Sequence, residues 1–193
     1  ANAMQHKPYL DKDSQAKGLN NLVIVGNTFV YPLAGYSKKI KSVNDLQDGA
    51  VIAVPNDPTN ESRALNLLQA AGLIKLDVDS TKLATVANIK ENKKNLKISE
   101  LDASQTAASL TSVDAAVVNN TFVREAGIDY KSALYKEKTD ENSKLWYNLI
   151  AAKKDWEKSD KADAIKKIIK AYHTDEVKKV IEESSDGMDQ PVW

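Results

Sequence analysis

The chain has 193 residues, 42% of them hydrophobic and 28% charged, and its 27 basic and 27 acidic side chains leave a formal net charge of zero. That length supports one large core or two small ones, and charge this evenly mixed speaks against a nucleic-acid surface or a polybasic membrane patch. Cysteine is absent, which removes disulfides, thiolate metal sites and thiol nucleophiles together.

In chain order, Ala1–Leu10 (ANAMQHKPYL) has no initiator methionine, basic n-region or apolar h-region, so no signal peptide is read there. Either the opening residues are a cloning scar or the chain is a piece of a longer protein. Asn21–Ser37 starts as a β-branched run and passes through Gly26 and Pro32, which predicts one strand followed by irregular extended chain. Val51–Val54 predicts a second, buried strand. Pro58 then stops extension, Thr59 stands as an N-cap, and Ala64, Leu65, Leu68 and Ala71 recur at helical spacing until Gly72 offers a stop. Leu96–Leu101 alternates apolar and polar, as a half-exposed strand does, and Asp114–Val118 reads as a central parallel strand. Ser143–Ala152 predicts another strand. Beyond it, Asp160 can cap a helix that turns Ile165, Ile168, Ile169 and Tyr172 inward, and Thr174 can cap a second one carrying Val177, Val180 and Ile181. The alternation of strand and helix predicts an α/β architecture with mostly parallel sheets. The longest apolar runs, Leu22–Val25 and Val51–Val54, are too short to span a bilayer.

Four apolar runs end in asparagine, at Asn27, Asn56, Asn119 and Asn148. In open α/β sheets ligands bind outside the carboxyl ends of the strands, and an asparagine there offers both donor and acceptor. Asparagine also suits turns for purely local reasons. Arg63 fits the same pattern. Early in its helix, near free N–H groups and the positive end of the macrodipole, its fork would make a carboxylate site; as a surface residue it would pair with Glu61 or a neighbouring loop.

Nothing in the sequence announces catalysis. His6 and His173 are far apart and make no metal-ligand spacing, and no nucleophile elbow, P-loop or dinucleotide fingerprint is present. Asp57, before a proline, is a turn residue rather than a general base, and Asp77–Ser80 lacks the glycine and glutamate of a calcium loop. His173, late in a helix, is placed to meet the carbonyl end. No metal or cofactor is expected. Two-lobed effector domains of transcription regulators also bind small acids, but they adjoin a DNA-binding helical unit that this chain does not display.

Gln5–Leu10 (QHKPYL), Val25–Ser42 (VGNTFVYPLAGYSKKIKS), Val54–Asn60 (VPNDPTN) with Arg63 behind it, Leu73–Leu76 (LIKL) and Val117–Thr121 (VVNNT) together resemble the methionine-binding lipoproteins of the MetQ/NlpA type. The resemblance runs almost the whole length, to the closing Val192 and Trp193. It implies the solute-binding component of an ABC importer and a type II, two-lobed periplasmic-binding-protein-like fold that closes on its ligand. Residues 38–140 would form one lobe, with 1–37 and 141–193 contributing to the other. Methionine in the interlobe cleft would be gripped by Arg63 at its carboxylate and by Asn119 and Asn148 at its main-chain groups, with His6 and Tyr9 around the thioether. Met4 stands where the family has phenylalanine, which alters the pocket wall. The family also has a long segment ahead of this point, carrying a lipidated cysteine and the opening units of the first lobe. The resemblance therefore implies an incomplete first lobe with exposed apolar surface, which a swapped homodimer would complete. Permease and ATPase subunits in the membrane are the implied partners, and the protein's implied place is extracytoplasmic, attached to the membrane through an N-terminal lipid on the full-length parent.

Overall fold

A computed structural model describes residues 22–78, 82–138, 144 and 146–193. They fall into two units: Pro32–Glu137 forms one, and the residues up to Tyr31 join Lys138–Trp193 in the other.

In the unit Pro32–Glu137, the strands β3 (Ala34–Tyr36), β4 (Val51–Pro55), β7 (Lys97–Leu101), β8 (Ala115–Val118) and β9 (Tyr135–Lys136) form one sheet in the order β7-β4-β8-β3-β9. β4 runs parallel to both β7 and β8, with Val51 opposite Lys97 and Ile52 opposite Ala115. β3 lies antiparallel on β8, Ala34 opposite Val118, and β9 antiparallel on β3. The sheet is thus parallel on one side and antiparallel on the other, a correction to the mostly parallel expectation. Parallel neighbours need long crossovers, and the short extended run of β3 makes none. That pairing also draws β3 into this unit, so the chain passes between units at Tyr31 and Pro32, whereas the lobe boundary was expected after Ser37.

Helix α1 (Pro58–Ala70) shares a buried cluster with one face of the sheet, where Leu33, Ile52, Val54, Leu65, Leu68, Ile74, Leu96 and Val117 pack together. Helix α2 (Ala103–Ser109) packs against β4 and β8, and Ala53, Ala116 and Val118 are fully buried outside that cluster. β8, covered on both faces, is therefore apolar at every position. α3 (Asn120–Glu125) follows it directly. α1 ends at Ala70 because Gly72, at φ +75°, turns the chain in the left-handed region. A small antiparallel ribbon, β5 (Lys75–Leu76) with β6 (Ile89–Glu91), completes the described strands here.

In the other unit, β1 (Leu22–Asn27) pairs antiparallel with β10 (Leu149–Lys153), and β2 (Phe29–Val30) with β11 (Gln190–Pro191). The run from Asn21 to Ser37 thus holds three short strands, not one. Helices α4 (Ala162–Tyr172) and α5 (Asp175–Ser184) follow β10. Thr174 caps α5 through the Val177 N–H (3.3 Å). Lys161, not Asp160, precedes α4, and no side chain caps it; a turn closes there instead, the Ala162 N–H donating to the Ser159 carbonyl. Neither helix has a buried residue, and Ile168 and Val180 are 58% and 61% exposed. Among the described residues the apolar stripe is only partly covered, with Ile165, Ile169 and Tyr172 half-buried. An open groove of about 570 Å³ borders β10 and α4, lined by Ile150, Trp156, Ile165 and Ile168 among others.

Asp114 pins the amino edge of β8. Its carboxylate accepts from the Val51 N–H (2.8 Å) and Lys39 Nζ (3.0 Å), and its carbonyl from the Ser37 hydroxyl (2.6 Å). The Val51 N–H, followed by Lys39, holds this carboxyl below the usual carboxylate range. A carboxyl depressed in the folded state contributes stability that is present above its unfolded value and lost as pH falls through its folded one. Asp114→Asn is therefore expected to melt below the parent at pH 7, with the gap closing as pH drops below about 4; parallel thermal melts across that range check it.

Candidate functional site

Because β4 and β8 are parallel neighbours, their carboxyl ends emerge on the same edge of the sheet, with Asn56 and Asn119 as the next residues. After β4 the chain turns at once into α1. Asp57, not Thr59, is the N-cap: its Oδ1 accepts from the Asn60 N–H (3.1 Å) and the Thr59 hydroxyl (2.9 Å), and its Oδ2 from Asn60 Nδ2 (2.9 Å). Pro58 occupies the first helical position, where a missing N–H costs nothing. The reading of Asp57 as a turn residue thus becomes specific: it is the cap.

With its amide spent as donor on Asp57, Asn60 presents Oδ1 to Asn119 Nδ2 at 3.1 Å. The loop after β4 is in this way tied to the loop after β8. Asn119 sits at the N-cap of α3 but makes no side-chain cap, and its Oδ1 is buried without a hydrogen-bond partner. Its neighbour Asn120 is 3% exposed, and neither polar atom of its side-chain amide is paired. An unpaired buried polar group costs about 1–3 kcal/mol, so this short segment of backbone holds unspent donor and acceptor capacity at the edge where ligands of open sheets are received. Asn120 escaped the sequence reading. Its only trace there was the doubled asparagine of VVNNT.

Arg63 lies in the second turn of α1 and is completely buried. Its Nε donates to Glu137 Oε1 at 2.8 Å and its Nη2 to Glu137 Oε2 at 2.6 Å, a two-toothed ion pair across 74 positions of chain. Glu137 Oε2 also accepts from the Leu33 N–H (2.9 Å). Arg63 is thus not at a solvated position, and two of its guanidinium bonds go to Glu137, far along the chain. The face of α1 that carries it is the buried face, which a lone charge in the sequence did not disclose. Glu61, also on that helix, is 6% exposed and accepts from the Val86 N–H at 3.1 Å. Burial pushes its pKa above the ordinary carboxylate value, against the lowering by the Val86 N–H and with further raising by Glu100 and Asp57.

Asn148 belongs to the other unit and opens β10 rather than ending a run. It is 7% exposed, its Nδ2 and backbone N–H both donate to the Phe29 carbonyl (3.1 and 2.8 Å), and its carbonyl accepts from the Thr28 N–H (2.9 Å). Asn27, at the end of β1, has its carbonyl engaged by His173 Nε2 (2.7 Å), whose ring stacks on Trp193 at 5.1 Å. His173 does follow the last turn of α4, yet its ring serves β1 rather than its own helix end. His6, Tyr9 and Met4 lie outside the described residues. Among the described residues no group of three or more histidine, aspartate or glutamate side chains could hold a metal, and no helix is long and apolar enough to cross a membrane.

The profile of the NlpA lipoprotein family matches residues 1–193. Outer membrane lipoprotein 1 of Mannheimia haemolytica is 55% identical over 178 residues, covering 92% of this chain and 62% of that protein. A probable D-methionine-binding lipoprotein MetQ of Haemophilus influenzae is likewise 55% identical over 178 residues, at 92% and 63% coverage. The chain therefore spans less than two thirds of the length of these curated relatives. Among solved structures, the substrate binding protein of a methionine transporter from Streptococcus pneumoniae superposes with a TM-score of 0.85 at 65% identity, over 96% of this chain and 73% of that one. A nutrient binding protein from Burkholderia cenocepacia bound to methionine gives 0.84 at 41% identity, over 100% and 78%.

Glu61 yields a stability prediction of opposite sign to that of Asp114. A carboxyl whose folded pKa is raised contributes stability below its unfolded value and loses it as pH rises through the folded one. Glu61→Gln keeps an acceptor for Val86 and removes the charge. The variant is expected to melt with the parent in acid and above it at pH 7, as thermal melts at a series of pH values would show.

Proposed function

The chain belongs to the NlpA lipoprotein family, and on that premise we propose that it binds methionine or a close methionine derivative and delivers it to an ABC-type membrane permease. The observation that carries the reading is the unpaired buried amide capacity of Asn119 and Asn120 at the carboxyl edge of parallel strands, with the guanidinium of Arg63 one turn beyond the Asn60–Asn119 contact. A carboxylate is the ligand group that matches an arginine fork. Asn119 and Asn148 supply amide contacts to the ligand's main-chain groups. His6 and Tyr9, with Met4 beside them, enclose the thioether, a soft and apolar group that aromatic rings suit. The names of the relatives support the ligand class, as does the methionine-bound Burkholderia neighbour.

The protein's work in this reading is capture and release, not catalysis. Its partners are the permease and ATPase subunits of an importer, and its place is extracytoplasmic, held at the membrane by a lipid. A swapped homodimer is part of the same reading, so oligomeric state belongs to the same test.

Native mass spectrometry of the chain with L- and with D-methionine reports ligand and oligomer together. The expected spectrum carries an added mass of one methionine, on the monomer or, in a swapped assembly, on the dimer alone. Arg63→Lys should weaken binding by at least about tenfold, the equivalent of one lost charge-assisted hydrogen bond. Arg63→Ala should in addition destabilise the fold by about 3–5 kcal/mol, because it leaves Glu137 without its buried partner. Unchanged methionine affinity in Arg63→Lys would overturn the assignment.

A further inference from the structure

Resting on that reading of Asn119, we propose that Asp57 is a positioning residue for ligand recognition: through Asn60 it fixes which way the Asn119 amide faces, so that a hydrogen-bond acceptor is held for the ligand's ammonium group. A side-chain amide carries an oxygen that accepts and a nitrogen that donates, and its two ends occupy nearly the same space. Shape alone therefore leaves two orientations open, and only the polarity of the partners separates them. A carboxylate decides between them, because it can only accept. Asp57 Oδ2 accepts from Asn60 Nδ2 at 2.9 Å, which leaves Asn60 Oδ1 to face Asn119. Asn119 must then meet that oxygen with its own nitrogen, at 3.1 Å.

What is left of Asn119 is Oδ1, buried and without a hydrogen-bond partner, on a residue 9% exposed that directly follows β8. An acceptor matches the ammonium of an amino acid rather than its carboxylate, and a hydrogen bond from a charged donor is of the stronger kind. The relay is held from its far end. Asp57 Oδ1 takes the Asn60 N–H (3.1 Å) and the Thr59 hydroxyl (2.9 Å) as the cap of α1, so the carboxylate that sets the polarity is fixed to the helix that carries Asn60. Polarity thus passes from one carboxylate through two amides, from the segment behind β4 to the segment behind its parallel neighbour β8. The acceptor is oriented before the ligand arrives, and binding does not have to order it.

Asp57→Asn tests the relay with almost no change of shape. Asparagine caps a helix about as well as aspartate does, and with its oxygen kept on the Asn60 N–H its new amide nitrogen faces the Asn60 side chain. Asn60 then turns its oxygen to that nitrogen, Asn119 turns in response, and an NH2 group replaces the acceptor in front of the ammonium. Titration calorimetry, run well below each variant's melting temperature, compares the parent with Asp57→Asn, the Asp57→Asn, Asn60→Asp pair and Asn119→Leu. Each is titrated with methionine and with γ-(methylthio)butyrate, which is methionine without its amino group. Asp57→Asn should weaken methionine by at least about tenfold, the loss of one charge-assisted hydrogen bond, and γ-(methylthio)butyrate by no more than about twofold, the scatter of sites that do not interact. In the pair, position 60 again offers only acceptors to Asn119, and methionine affinity should return to within about threefold of the parent. A cap without this role would shift the melting temperature and leave both affinities alone. That outcome would overturn the proposal, and so would equal losses for the two ligands or a folded pair no better than Asp57→Asn. If the analogue binds too weakly to measure, the pair decides; if the pair does not fold, the analogue decides. If Asn119→Leu binds methionine like the parent, or the parent binds none, it is the reading of Asn119 that fails; if Asn119→Leu is weakened and Asp57→Asn is not, only the relay fails.

Discussion

A buried guanidinium cannot be left alone. Arg63 is fully enclosed on the inner face of α1, and the free energy of placing a charge there is recovered only if a carboxylate meets it with good geometry. Glu137 does so from the last position of the unit Pro32–Glu137, and the same carboxylate takes the N–H of Leu33, beside the first. One ion pair thus joins the helix that follows β4 to both ends of the segment that makes this unit. The antiparallel strands β3 and β9 lie where this contact requires them.

The carboxyl edge of β4 and β8 shows how one residue type acquires different duties from its surroundings. Asn60 is consumed between Asp57 and Asn119, and Asn119 is half consumed by Asn60. Asn120 is buried with its amide unspent. Asn148 turns its amide back to the Phe29 carbonyl and braces its own strand, and Asn27 lends its carbonyl to His173. Asn27, Asn119 and Asn148 each follow an apolar run in the sequence, and Asn60 and Asn120 stand just behind such a position. Which are structural and which carry unspent hydrogen-bonding capacity depends on whether a backbone group already stands within reach.

Charge follows the same logic. Asp114, met by a backbone N–H and a lysine, is held in its ionised form, whereas Glu61, enclosed on a helix face with Glu100 and Asp57 in range, is pushed toward the neutral one. The two carboxylates differ in solvation and neighbours, not in chemistry. Opposite signs of this kind within one small unit make net charge a poor guide to what its ionisable groups do.

The elements that the sequence determined were those whose evidence is local. The apolar runs of β4 and β8, the helix from Pro58 to the glycine stop at Gly72, the cap at Thr174 and the α/β alternation were all readable from spacing and turn chemistry. The place of Arg63 early in a helix behind a strand end was legible for the same reason, as were the asparagines of that edge. Its burial, its pairing with Glu137 across 74 positions, the antiparallel half of the sheet and the unpaired amide of Asn120 were decided only in three dimensions. Local pattern records what each segment prefers by itself. A salt bridge, a strand neighbour or an unsatisfied amide is a relation between distant segments, and its free energy exists only once the chain has brought them together.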